Sequence, residues 1–301
     1  MQLLNKVLEM NKKSNRVMKL ALAEAADDAA LKAVVEARKL GLAEPVLFGI
    51  EDDIKRVAQE NDLDLSGIHI VHCEDMERSA EEAVKSVSSG ETDFLMKGLL
   101  DTSVILKAAL NKDWGIRGDS LLSHVMVYEM AAYKKPLILT DGGVNIAPNL
   151  EEKVKILENA IQVSRAIGNE LTKVGAIAAK EKVSDKMPAT VDAAELQKMS
   201  EAGAFGEDVI VEGPMAIDLA YSKEAAIHKG FESRVAGDID IMLCPNIEMG
   251  NGVSKTFTYL AGAESAGVIM GARKPIVIVS RADSYDSKLN SIALACLVAS
   301  L

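Results

Sequence analysis

Arg281 stands where an aliphatic strand gives out. It follows the run PIVIV at 275–279 and Ser280, and Asp283 and Asp286 come close behind it. A guanidinium placed there costs free energy unless its five donors find partners. Two kinds of partner suit the local sequence. One is an ion pair with Asp283 or Asp286. The other is a phosphate gripped bidentately by the planar fork. The residues alone leave both open.

Four more apolar runs end in polar clusters. Lys97 and Gly98 follow FLM at 94–96, and Asp141, Gly142, Gly143 and Asn145 follow LILT at 137–140. Glu212, Gly213, Pro214 and Asp218 close the run VIV at 209–211, and Asn246, Glu248, Gly250, Asn251 and Lys255 follow IMLC at 241–244. In open α/β sheets, ligands bind beyond the carboxyl ends of the strands, where loops and helix N-termini converge. Five such loops hold more glycine and charge than chain reversal needs. Lys97, Gly98, Asn145, Asn246, Glu248, Gly250, Asn251 and Lys255 are therefore candidate substrate-binding residues. Met215 and Met249, also at strand ends, are candidate linings of an apolar pocket.

Several chemistries are disfavoured. The chain has neither GxxxxGK followed by Ser or Thr nor GxGxxG after its first strand, so no nucleotide cradle is expected. GNG at 250–252 reads as a helix-entry turn. His69 and His72 are three apart on a strand, hence on opposite faces, and His124 and His228 lack metal-type spacing. No metal site is expected. His124, after Ser123 at the start of an apolar strand, lies nearer the ligand-binding loops than the other three. Ser280 is not in GxSxG, so no nucleophile elbow follows. Cys244, beside Pro245, reads as a buried thiol. The net charge of −11, from 34 basic and 45 acidic residues, argues against nucleic acid as a partner. It leaves room for a small anion held by a few cations.

These groups need a scaffold. The chain has 301 residues, 49% of them hydrophobic, with a mean hydropathy of +0.10. No apolar run approaches the roughly 20 residues of a spanning helix, so no membrane is expected. The opening stretch is too briefly apolar for a signal peptide. Three scattered cysteines, Cys73, Cys244 and Cys296, suit a reducing compartment. Cytoplasm is the expected location. Strand-like runs at 17–21, 45–48, 68–71, 94–96, 125–128, 137–140, 174–177, 209–211, 241–244 and 276–279 alternate with helical periodicity. The helical segments lie at 28–40, 53–61, 78–88, 102–110, 150–167, 194–202, 217–229 and 254–266. This alternation predicts an α/β protein with largely parallel sheet. Strand count puts a domain boundary at 139/140.

Seven stretches together are similar to the phosphate acetyl/butyryl transferase family: DFLMKGLLDTS (93–103), LLSHVMVYE (121–129), TDGGVNIAPNLEEK (140–153), KMPATVDA (186–193), EGPMAIDLAYSKEAAIHKG (212–230), PNIEMGNGVSKTFTYLAGAESAG (245–267) and SRADSYDSKLNSIALA (280–295). They stand in the family's order and cover nearly the whole chain. MKG, LSHV, SKEAAIHKG and the last stretch resemble the butyryl branch.

The resemblance implies two α/β domains around a cleft, isocitrate/isopropylmalate dehydrogenase-like, with the C-terminal helix returning to the first domain. The domains are then 1–139 plus 284–301, and 140–283. It implies conversion of acyl-CoA and phosphate to acyl phosphate and CoA through a ternary complex. CoA is then a substrate, no cofactor is tightly bound, and a homodimer is expected. A thiol of pKa about 8.5 must lose its proton in the reverse direction. A carboxylate serves as base, Ser280 as donor to the carbonyl oxygen, and Arg281 as phosphate clamp. The acetyl branch resembles S-R-G-x-S-x-D-D here and takes the second Asp as base. Counting from Ser280 puts the first at Asp286 and the second at Ser287, so Asp286 and Asp283 share the assignment. Lys107 takes the place of a phosphate-contacting arginine. The competing readings are the same reaction with acetyl-CoA, an isopropylmalate-type dehydrogenase, and a non-catalytic acyl-CoA-binding protein.

Overall fold

The computed structural model of the chain describes residues 2–278 and 284–301. Ser280, Arg281 and Asp283 lie outside the described residues. The chain begins with α1 (Leu3–Ser14), β1 (Met18–Ala23), α2 (Asp28–Lys39), β2 (Ala43–Gly49), α3 (Glu51–Glu60), β3 (His69–His72), α4 (Met76–Ser89), β4 (Phe94–Lys97) and α5 (Thr102–Ala109). Next come β5 (Ser123–Met130), β6 (Tyr133–Thr140), α6 (Leu150–Ala166), β7 (Thr172–Ile177), α7 (Pro188–Glu201), β8 (Val209–Met215), α8 (Ile217–Tyr221), α9 (Lys223–His228), β9 (Ile241–Leu243) and α10 (Ile247–Tyr259). It closes with β10 (Glu264–Met270), β11 (Ile276–Val277) and α11 (Tyr285–Ala299).

Two compact units divide these elements, one running through Ser120 and resuming at Ser265, the other Leu121–Glu264. Strand count and resemblance put the divisions at 139/140 and 283/284. The β5–β6 hairpin belongs to the second unit, where β6 pairs in parallel with β9.

In the first unit the strand order is β3-β2-β1-β4-β11-β10. All neighbours are parallel except β10 and β11. Strands β1, β2 and β4 are largely buried apolar runs, as parallel sheets covered by helices require, while the edge strand β3 is exposed or half-buried throughout. Helix starts are set by side-chain caps: Asp27 accepts from Ala30 N and Asp75 from Arg78 N. The winding reverses between β1 and β4, which makes their carboxyl ends the switch point of this unit. Helix α11 packs on α1 and α2 and is buried continuously from Ser287 to Val298.

In the second unit the order is β5-β6-β9-β7-β8. Strands β6, β9, β7 and β8 are parallel neighbours, and β5 runs antiparallel to β6. The first residues of β5 therefore lie at the edge where its four parallel companions end. A capping box on Asn149 and Glu152 starts α6. The opposite edge is pinned by charge. Lys173 at the start of β7 and Lys135 in β6 both reach Asp238, at 2.5 and 3.2 Å, and Lys135 reaches Asp240 at 2.7 Å.

Two element readings change. The expected helix at 254–266 gives way: α10 starts at Ile247 and ends at Tyr259, and Glu264–Met270 is a strand. The expected helix at 217–229 breaks at Ser222, whose hydroxyl caps α9 by accepting from Ala225 N. Met215, a candidate pocket lining in the sequence, is a core residue. It is fully buried with Leu139, Ile177 and Met242 in the core of the second unit.

Candidate functional site

The loop after β6 carries the densest arrangement. Asp141 is buried. Its carboxylate accepts from Gly143 N at 2.7 Å, Val144 N at 3.0 Å and Asn145 N at 3.2 Å. Asn145 adds its Nδ2, at 2.6 Å to Asp141 and 2.8 Å to the carbonyl of Leu122. The aspartate thus ties DGGVN into a tight turn. Asn145, expected to bind substrate, spends its amide donors within the protein. Helix α10 meets this turn directly. Asn246 caps the helix by accepting from Met249 N at 3.0 Å, and Asn251 Nδ2 donates to Gly142 O at 3.1 Å. Gly250 lies so close to Asp141 that a Cβ there would sit 2.4 Å from its carbonyl oxygen. Among the expected residues, Asn145, Asn246, Gly250 and Asn251 come together here, while Glu248 and Lys255 stand exposed on the same helix.

Beside the Asn246 cap lies a recess of about 580 Å³, floored by Ile177, Ala178, Ala216, Pro245 and Met249. It opens beyond the ends of β7, β8 and β9, the ordinary position for a ligand in parallel sheet. Its size falls in the usual range for small-molecule sites, about 300–1,000 Å³. Its charged wall is neutralised: Lys229 bridges Asp218 at 2.9 Å and Glu181 at 3.0 Å. Cys244 lies beneath, and burial, with Asp141 nearby, holds its thiol above the ordinary range. It packs in the core of the second unit with Leu139, Met215 and Met242.

In the first unit, Lys97 ends β4 beside the end of β1, at the switch point. Its ammonium donates to the carbonyls of Gly98 and Leu100, each at 3.0 Å. Gly98 is buried against the carbonyl of Glu24. Lys107 is exposed in the last turn of α5. Asp286 is exposed in the first turn of α11. It is not the cap of that helix, since Ser284 accepts from Ser287 N at 3.1 Å. Ser287 turns inward and its hydroxyl meets that of Ser265 at 2.9 Å. Ser280, Arg281 and Asp283 fall outside the described residues. No group of three or more His, Cys, Asp or Glu side chains among the described residues gathers as a metal site. No described helix is long and apolar enough to cross a membrane.

Residues 2–86 and 76–296 match the family model described as phosphate acetyl/butaryl transferase. The chain belongs to this family. It is 44% identical to a phosphate butyryltransferase of Clostridium acetobutylicum over 96% of each chain. It is 40% identical to a phosphate acetyltransferase of Thermotoga maritima over 98% of this chain and 99% of the relative. A crystal structure of a branched-chain phosphotransacylase from Enterococcus faecalis V583 matches with TM-score 0.83 and 31% identity, over 94% of this chain and 99% of that one. A 4-hydroxythreonine-4-phosphate dehydrogenase from Burkholderia phymatum, at TM-score 0.54 and 12% identity, shares the fold alone.

Two residues of this family member stand outside the expected site set, Glu24 unremarked in the sequence and His124 noted only as the histidine nearest the ligand-binding loops. Glu24 follows β1 in a left-handed conformation, φ 53°. Burial raises its carboxyl pKa, with Asp53 and Asp75 adding to the effect and Ser79 opposing it. Its Oε2 has no hydrogen-bond partner among the described residues. Its position directly after an apolar run was the available signal. His124 is the second residue of β5, and its ring lies against Gly143. Its signal lay in topology: only an antiparallel β5 brings its start to the loop edge.

Proposed function

We propose that the chain transfers a four- or five-carbon acyl group, straight or branched, reversibly between CoA and inorganic phosphate. The carrying observation is identity at 44% over 96% of the chain to a protein named phosphate butyryltransferase. The apolar recess beside Asn246 supports a pocket with room beyond an acetyl methyl. Each buried methylene contributes about 0.8 kcal/mol, about fourfold in kcat/KM.

In this reading acyl-CoA and phosphate bind together and no acyl-enzyme forms. Arg281 presents its planar fork to the phosphate. Ser280 donates to the carbonyl oxygen as it gains charge. Asp286 takes the thiol proton in the acyl phosphate direction, a role its exposed place in the first turn of α11 permits. Lys97, Gly98, Lys107, Asn145, Asn246, Glu248, Gly250, Asn251 and Lys255 complete the substrate site, with Asn145 fastening its loop. The enzyme works in the cytoplasm as a homodimer, with no added metal or nicotinamide.

The test is phosphate-dependent CoA release from a panel of two- to five-carbon acyl-CoAs. Higher kcat/KM for butyryl- or isobutyryl-CoA than for acetyl-CoA is expected. Met249→Phe, which narrows the recess, should lower that preference. Acetyl-CoA matching or exceeding butyryl-CoA would shift the assignment to the acetyl reaction. No release from any of them would reject the acyltransferase reading.

A further inference from the structure

The loop DGGVN is pressed from two sides within the second unit. On one side Gly142 meets Gly250 of α10, and on the other Gly143 meets the imidazole of His124. A Cβ on Gly143 would stand 2.7 Å from Nδ1 and 3.2 Å from Cγ of that ring, closer than any side chain tolerates. Only glycine lets the ring lie where it does. The main chain of His124 is fixed as well, since its carbonyl accepts from Thr140 Oγ1 at 3.0 Å.

The position is unusual for a histidine. Along β5 the side chains of Ser123, Val125 and Val127 are buried, while His124 and Met126 stand half-buried on the other face. Because β5 runs antiparallel to β6, His124 sits at the edge where β6, β9, β7 and β8 end. That edge collects the ligand-binding loops of such sheets. The imidazole seated against Gly143 brings a ring nitrogen pair to that edge, chemistry suited to an anionic oxygen.

We infer that His124 is a substrate-contacting residue, donating from its ring to a phosphoryl oxygen of phosphate or acyl phosphate, and that Gly143 is bare so that the ring can be seated. This rests on the acyltransferase reading. His124 is distinct from the arginine and carboxylates assigned above, and it belongs to LSHV, a stretch in the butyryl wording of the family.

A double-mutant cycle tests both halves on the full chain, with phosphate and butyryl-CoA varied separately. His124→Ala should raise the KM for phosphate roughly tenfold or more, the scale of one hydrogen bond to a charged group, and leave the KM for butyryl-CoA within about twofold. His124→Gln, which keeps a donor, should recover most of that loss. Gly143→Ala should reproduce the phosphate defect in the wild-type background and add little to His124→Ala, because the ring it displaces is gone. An unchanged phosphate KM in His124→Ala overturns the contact, as does a defect confined to butyryl-CoA. Equal costs of Gly143→Ala in both backgrounds overturn the seating. If His124→Ala fails to fold, His124→Phe, which keeps the ring's bulk without a donor, decides: a raised KM for phosphate supports the contact, and wild-type phosphate kinetics overturn it. A wild-type protein without phosphate-dependent CoA release would instead sink the acyltransferase reading.

Discussion

Gly250 and Asp141 touch backbone to backbone: a Cβ on the glycine would stand 2.4 Å from the aspartate's carbonyl oxygen and 2.8 Å from the Cα of Gly142. Neither obstacle is the end of a flexible side chain, so nothing can swing aside. Gly250→Ala must push α10 away from the loop and move the Asn251–Gly142 bond. Overpacking of this kind costs about 1–3 kcal/mol. We expect a lower Tm and a loss of activity larger than stability alone explains. Gly252, two residues on, has nothing within 4 Å of its added Cβ. Gly252→Ala should leave the fold intact and gain up to about 1 kcal/mol of helix propensity. Equal behaviour of the two alanines in thermal unfolding would refute the close-contact argument.

Arg281→Lys separates a phosphate clamp from a structural ion pair. Lysine keeps the charge and loses the fork. If the fork holds phosphate, the KM for phosphate rises and kcat/KM falls roughly 10- to 150-fold, the equivalent of about 1.5–3 kcal/mol. Thermal stability stays near wild type. Unchanged phosphate kinetics with a lowered Tm assigns Arg281 to Asp283 or Asp286 instead.

The aliphatic strands were legible because burial on both faces leaves them no polar positions. Strand β10 was not. Its sequence ESAGVIM joins a stretch whose spacing still reads as helix, and it is sheet pairing, with β11 at Ile269–Ile276 among its contacts, that makes it a strand. Periodicity missed helix α11, which only the family resemblance implied, for the opposite reason. Buried continuously from Ser287 to Val298, it has no polar face to supply a 3.6-residue period. The candidate site was legible wherever chemistry follows a strand end, as at Asn246 and Gly250. What the sequence could not show is which polar atoms are spent internally. Asn145 reads as a binding residue, yet its amide fastens Asp141 and Leu122. His124 stood out in sequence as the histidine nearest those loops, and the antiparallel run of β5 beside β6 supplies the reason.

Asp238 should make stability depend on acid. Burial alone would raise its pKa, but hydrogen bonds from Lys173, Lys135 and Lys134 outweigh it and hold the carboxyl well below the usual range. A depressed folded value means that its contribution is present above the unfolded value, about 3.9, and is lost as pH falls through the folded value. The side chain is partly exposed, so after screening the network contributes about 1 kcal/mol. Asp238→Asn should lower Tm by roughly 2–4 °C at pH 7, and the difference from wild type should shrink below about pH 4. The network lies at the edge opposite the candidate site, so kcat should hardly change. A Tm difference that is constant from pH 7 to pH 3 would show that the charge is not the cause.

Asp286 carries the last assignment, the base that takes the thiol proton. It is exposed at the head of α11 while Ser287 is buried against Ser265. With Ser284 capping the helix, Asp286 is not needed as the cap. Losing a general base costs about 10²–10⁴ in rate. Asp286→Asn should therefore depress kcat strongly, spare KM, and flatten the rising acid limb of the pH–rate profile for acyl-CoA formation. Ser280→Ala removes a donor and no titrating group, so kcat should drop by about 10² while the limb persists. The two variants and Asp283→Asn are to be assayed side by side. If Asp283→Asn abolishes turnover and Asp286→Asn does not, the proton goes to Asp283. If both retain wild-type rates, neither carboxylate is the base, and Glu24, whose raised pKa brings it nearer the thiol's, becomes the next residue to replace.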